Sequence, residues 1–214
     1  MGKHSRWVVA LVATAALVGV PSPSDASTLG PCRWSRLANV REPVPISYIN
    51  IDLDDGPVGS TYVGTMESAV KTWNGRVEGH ATFVQSAHQP DFNIDSTYTG
   101  STGYLGIWTA TCTSGWFKRG GGATNENRVR LNQSVLNREY ERGFAQHVLA
   151  IAHHELGHAF GLYHFNDFGC PAAIMYQYPQ QCWDTNQLPT FDDAWGVKTM
   201  YPGRTSCPTC AITS

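Results

Sequence analysis

His154, Glu155 and His158 stand as HExxH within IAHHELGHAFGLYHF, residues 151–165. On a helix of 3.6 residues per turn, positions four apart differ by about 40° in azimuth and one turn in height, so the two imidazoles reach one point. Glu155 lies about 100° round, beside that point. Two histidine ligands with a carboxylate next to them is an arrangement for zinc and an activated water. His164 adds a third nitrogen only if the helix stops. Continued, it would lie about 9 Å beyond His158 along the axis. Gly161 intervenes, and glycine ends helices by adopting positive φ, so the chain is predicted to turn back there and present His164. Three nitrogen ligands leave the fourth position of a tetrahedral zinc open, as catalysis requires.

The other histidines fit less well. His153 is about 100° off the His154 face and is expected to be packed or exposed rather than ligating. His147 comes at least a turn too early, and His80 and His88 are remote in sequence. A second metal site built from these is not the favoured reading. HExxH alone also arises by chance in helices. Here the added Gly161 and His164 separate the motif from that background.

The elements that must position these residues are legible from periodicity. Pro45–Asp54 alternates apolar and polar residues as a strand does, and Asp54-Asp55-Gly56-Pro57 turns the chain. Val63, Met66, Val70 and Trp73 mark one face of a helix over 61–75. Segments 81–87, 91–98, 103–112 and 127–134 read as four further strands. A flexible loop is expected between the last two; its Gly120-Gly121-Gly122 is no phosphate cradle, because no Lys-Ser/Thr opens a helix behind it. One long helix is predicted from Asn137 to Phe160. An irregular stretch, 161–189, precedes a final helix within 189–201, with Thr190 as its cap, Asp192 and Asp193 in its first turn, and an apolar face from Trp195 to Tyr201. The pattern implies an α+β domain: a twisted five-stranded mixed sheet packed on two helices, with a loop-rich C-terminal portion ending in a helix.

Composition narrows the setting. The 214 residues carry a formal charge of −2 and only 15% charged side chains, against roughly 25% in an average domain. No basic field suited to nucleic acid or an anionic membrane is present. Lys3 and Arg6 precede an apolar run, Trp7–Val20, and Ser24-Asp25-Ala26 follows as a small-x-small cleavage signature. The run falls short of the roughly 20 residues of a membrane span. Residues 1–26 are therefore expected to be a secretory signal peptide, cut after Ala26, followed by an irregular arm (27–43), the main domain (44–203) and a tail (204–214). All six cysteines follow it: Cys32, Cys112, Cys170, Cys182, Cys207 and Cys210. An even count in a secreted chain favours disulfides. Cys207 and Cys210 form a lone CxxC without a βαβ context or a second CxxC, so structural bridges are preferred to redox or zinc-knuckle chemistry. Cys170 with Cys182 is the best local pairing, and the other four are left unassigned.

The run His154-Glu155-Leu156-Gly157-His158-Ala159-Phe160-Gly161-Leu162-Tyr163-His164 matches the HExxHxxGxxH signature of the metzincin zinc peptidases. AAIMYQY resembles their Met-turn, which implies that Met175 forms an apolar floor under the metal. Within that clan the chain most resembles the matrixins, whose active helix reads like AxHELGHALGL and whose last helix, LSxDDxxGIxxLYG, is similar to LPTFDDAWGVKTMYPG here. The resemblance covers roughly 44–203 and is specific over 150–176 and 187–202. It departs at several points. GPCRWSR around Cys32 lacks the PRCGxPD pattern of a cysteine cap, and a disulfide for Cys32 suits the even count. No histidine- and aspartate-rich loop for structural zinc and calcium lies between 95 and 130, so calcium is not indicated. Gln177 stands at the usual proline, and Phe165 at the usual serine.

The resemblance implies a secreted, monomeric zinc endopeptidase with one catalytic Zn2+, Glu155 as general base and a polypeptide substrate. An edge strand over Gly103–Trp108 would pair with the substrate, with Leu105 and Gly106 in contact with it. Tyr178 would help wall the pocket beyond the cleaved bond. Two alternatives stay open at this level: a non-catalytic zinc-binding or adhesion protein on the same scaffold, and a zinc hydrolase acting on a non-peptide bond.

Overall fold

The computed structural model describes residues 28–35, 43–50, 59–97, 104–119, 127–164, 173–176 and 187–202. The expected signal peptide, Gly120–Gly122, Phe165, Gln177, Tyr178, Cys170, Cys182, Cys207 and Cys210 lie outside them. Among the described residues, no helix is long and apolar enough to cross a membrane.

A five-stranded sheet forms the upper layer. Its strands are β2 (Val44–Asn50), β3 (Ala81–Gln85), β4 (Phe92–Thr97), β5 (Gly106–Thr109) and β8 (Arg128–Asn132), in the order β3-β2-β4-β8-β5. The first four run parallel, and β5 closes one edge antiparallel to β8, with Gly106 opposite Leu131 and Trp108 opposite Val129. Two helices pack on one face: α1 (Gly59–Arg76), which crosses from β2 to β3, and α3 (Ala145–Phe160). Ile46, Phe92, Ile94, Val129 and Leu131 point down from the sheet, and Met66, Ala69, Trp73, Ala152, Leu156 and Phe160 rise to meet them; all are fully buried. Trp73 lies edge-on to Phe160 and donates its indole N–H to the His153 carbonyl at 2.9 Å, which ties α1 to the motif helix.

The predicted 137–160 helix is two helices. The first, α2, spans Gln133–Glu141, and the chain breaks at Gly143 before α3 begins. Gly143 adopts φ 81°, and the N–H of Phe144 reaches back to the Glu139 carbonyl at 2.9 Å, the six-to-one bond of a left-handed helix end. His147 then bonds the buried Glu139 at 2.9 Å, bracing α3 against α2 across that break.

The expected 103–112 strand is shorter, Gly106–Thr109, and the described start of the following loop, up to residue 119, holds a hairpin. β6 (Cys112–Thr113) and β7 (Trp116–Phe117) form a tight hairpin through Ser114 and Gly115, both at positive φ. Beyond it, Arg119 bonds Asp91, Ser35 O and Pro45 O. Asp95 likewise pairs with Arg128 and Arg130. Arg119 thus ties the end of the hairpin to the sheet, while the Asp95 pairs link neighbouring strands β4 and β8.

The N-terminal arm is a structural member of the domain. Its β1 (Thr28–Leu29) pairs with β9 (Leu162–Tyr163), Cys32 is disulfide-bonded to Cys112 with a Cα separation of 6.1 Å, and Trp34 is 1% exposed. The Trp34 ring packs among Phe92, Trp108 and Phe117, and its N–H donates to the Ala159 carbonyl at 2.7 Å. In the final helix, α4 (Phe191–Met200), the buried face is Ala194, Val197 and Met200, followed by Tyr201. Trp195, expected on that face, instead stacks on exposed Phe191.

Candidate metal centre and active site

Helix α3 is apolar enough to be buried along most of its length, so its polar side chains are forced into specific partnerships. It ends at Gly161, whose φ of 105° is open to glycine and strained for other residues. The turn is tight for a second reason: a β-carbon on Gly161 would collide with the Cys32 carbonyl. The arm holds the turn from outside, since Gly30 N–H donates to Gly161 O at 2.8 Å. The chain then doubles back as β9 and delivers His164.

The outcome is one cluster of three imidazoles. Nε2 of His164 lies 3.2 Å from Nε2 of His154 and 3.1 Å from Nε2 of His158. The opposite ring nitrogens are occupied: Nδ1 of His154 donates to Ile174 O at 2.8 Å, and Nδ1 of His158 to Leu162 O at 2.7 Å. Both rings are thereby set in the tautomer whose Nε2 lone pair faces inward. His164 Nε2 has at most one proton to share between two acceptors, so the cluster is not satisfied by its own hydrogen bonds. Nitrogens about 2.0–2.1 Å from a tetrahedral zinc stand about 3.3 Å apart, close to the spacing found. The residues present fit that ion. Burial holds all three rings below the ordinary histidine range, His158 down to about 4, which keeps them neutral and able to ligate. Among the described residues this is the one group of histidine, cysteine and acidic side chains placed to hold a metal.

Met175 lies fully buried against the motif helix. Its sulfur occupies the space a side chain at Gly157 would fill. Gly157, one of the two unspecified residues of HExxH, is thus required for the methionine to approach, and sequence reading passed over it. The turn itself is held by Asp193, whose carboxylate accepts from Ile174 N at 2.9 Å and Met175 N at 3.4 Å, and from both the N–H and hydroxyl of Thr190 at 2.8 Å. Sequence reading gave Asp193 only a helix-dipole role. The spacing Thr190-x-x-Asp193 signalled its cap, and no local pattern signalled the turn.

Glu155 is buried with the cluster but is not part of it. Burial alone pushes its carboxyl up to about 8, and its Oε2 has no partner among the described residues. A cation at the histidines would favour its charged form. Edge strand β5 lies directly over it: Gly106 faces the Glu155 side chain. Leu105 stands beside Gly106 with its carbonyl bonded to Asn132 N at 3.0 Å. His153 is packed rather than exposed, with Nδ1 bonded to Gln187 O at 2.8 Å, and takes no part in the cluster. His80 serves elsewhere, bonded to Tyr201 O, and His88 is exposed.

A mixed sheet over a motif helix, three converging imidazoles and a buried methionine packed on that helix fit a zinc metalloprotease of the metzincin type. The matrixin family model matches residues 69–202, well over half of the chain. The chain belongs to the matrixin family. No curated protein matches it.

Proposed function

We propose that the protein is a secreted zinc-dependent endopeptidase, with His154, His158 and His164 holding the ion and Glu155 as the general base. The observation that carries the reading is a buried carboxylate, next in sequence to one of three converging imidazoles, against β5, the edge strand of the sheet among the described residues. A purely structural zinc has no use for such a carboxylate and is closed by four protein ligands. Zinc bound there would supply Lewis acidity toward the scissile carbonyl and toward a water.

The chain's own groups do the rest. Edge strand β5 receives an extended peptide by strand addition, which aligns the backbone without demanding a particular sequence. In an antiparallel pair, N–H and C=O groups alternate between partner and outside. Leu105 O is turned toward β8, so Gly106 and Trp108 offer their backbone groups to the open edge, as substrate pairing needs. Glu155 takes the proton of the attacking water and returns it to the leaving amine. Tyr178 is the nominee for the wall beyond the cleaved bond. The apolar run Trp7–Val20 and the Ser24–Ala26 signature support export.

Fluorogenic peptide libraries test this reading. Cleavage should disappear with a chelator and in Glu155→Ala, and return with added zinc only in the wild type. A folded, zinc-loaded protein that cleaves no peptide would overturn it in favour of a binding protein. Hydrolysis of a non-peptide substrate alone would point to the third class.

A further inference from the structure

We infer that Gly106 is a positioning residue for Glu155: the side chain it lacks is the space in which the carboxylate lies. The inference rests on the reading of Glu155 as general base. A β-carbon at Gly106 would stand 2.6 Å from Glu155 Cγ, 2.8 Å from Oε1 and 2.9 Å from Cδ. All are inside contact distance, and all belong to the movable part of one side chain. Gly106 is not among the glycines at positive φ, so its backbone admits a side chain. The clearance, and not the conformation, is what glycine provides here.

Neither backbone is free to withdraw. On one side, β5 is paired to β8 along its length, and Leu105 O is bonded to Asn132 N. Two residues on, Trp108 points to the same face as Gly106 and is locked among Trp34, Phe92 and Phe117, with ring centroids 6.5, 5.7 and 5.6 Å away. On the other side, α3 is fixed by Trp73 and by the histidines. An added methyl group therefore moves the carboxylate rather than the strand. Because the backbone groups of Gly106 also face the open edge, one residue sets the distance between a paired peptide and the group that handles its proton.

The test is a cycle of wild type, Gly106→Ala, Glu155→Ala and the double variant, with zinc content, Tm and peptide kinetics measured. Gly106→Ala should keep its zinc and lower kcat at least about tenfold, with KM within about twofold, because a displaced reacting group costs rate and not binding. In Tm, alanine at 106 should be better tolerated by a few degrees when Glu155 is already alanine. Folding of the double variant when Gly106→Ala alone does not fold would support the inference equally. Unchanged kcat, an equal Tm shift in both backgrounds, or misfolding in both would overturn it. Absence of peptidase activity in the zinc-loaded wild type would instead sink the general-base reading, while the Tm arm would still decide whether Gly106 and Glu155 are coupled.

Discussion

The backbone of Ile174 is held on both sides of its Cα: its carbonyl accepts from His154 Nδ1 at 2.8 Å, and its N–H donates to Asp193 at 2.9 Å. A carboxylate in the last helix is thus linked, through the backbone of one residue, to the ring orientation of a histidine in the three-imidazole cluster.

Asp193→Ala should strand the buried N–H of Ile174 and the half-buried N–H of Thr190 and loosen the His154 ring. We expect a loss of about 2–4 kcal/mol in stability and about tenfold weaker zinc binding, read by denaturant titration and chelator competition. Its neighbour Asp192, partly exposed, is the control: Asp192→Ala should change stability by less than about 1 kcal/mol.

The turn at Gly161 can be tested apart from the ligand it delivers. His164→Ala should lose zinc affinity while helical content persists. Gly161→Ala should do more, because φ of 105° and the Cys32 carbonyl both oppose a β-carbon. A loss of about 1–3 kcal/mol together with weakened zinc binding is expected. Wild-type zinc content in His164→Ala would mean that the third nitrogen is not a ligand.

Stability of the zinc-stripped protein should fall on both sides of a maximum near pH 5–6. The Glu155 carboxyl is raised from 4.5 to about 8, so its contribution is full below pH 4.5 and is lost as pH rises toward 8. His153 and His158 are lowered from 6.5 to about 4, so theirs is full above pH 6.5 and is lost as pH falls toward 4. Glu155→Gln should flatten the alkaline limb, by an amount on the order of a few kcal/mol, and leave the acid limb in place. Zinc loading should flatten the same limb, because the cation favours the carboxylate. Urea midpoints across pH 4–9 would show it. An alkaline limb unchanged in Glu155→Gln would assign the loss to another group.

Trp34→Ala should cost about 3–5 kcal/mol, as for a large aromatic removed from a core. Trp34→Phe should cost less but still lose the bond to Ala159 O. Both are measurable by thermal melts, and a neutral Trp34→Ala would return the arm to a peripheral role.

Some of this protein is determined by the sequence alone, because it depends on spacing along one chain segment. The four-residue step from His154 to His158, the glycine that stops the helix at 161 and the cap at Thr190 are local geometry, and periodicity reveals the strands and α1 in the same way. Gly143 carries the same kind of signal as Gly161, yet the apolar pattern running across it made two helices read as one. Other features were decided only by the tertiary structure, because they are clearances and partnerships between segments distant in sequence. Nothing near Gly106 or Gly157 says that Glu155 and Met175 fill their missing side chains. Trp34 reads as an isolated aromatic until Ala159 and Phe117 surround it, and Cys32 has five possible partners until the β6–β7 hairpin brings Cys112 to it. Spacing along a helix is an intrinsic property of the chain, whereas the room available to a carboxylate or a sulfur exists only once another segment has packed against it.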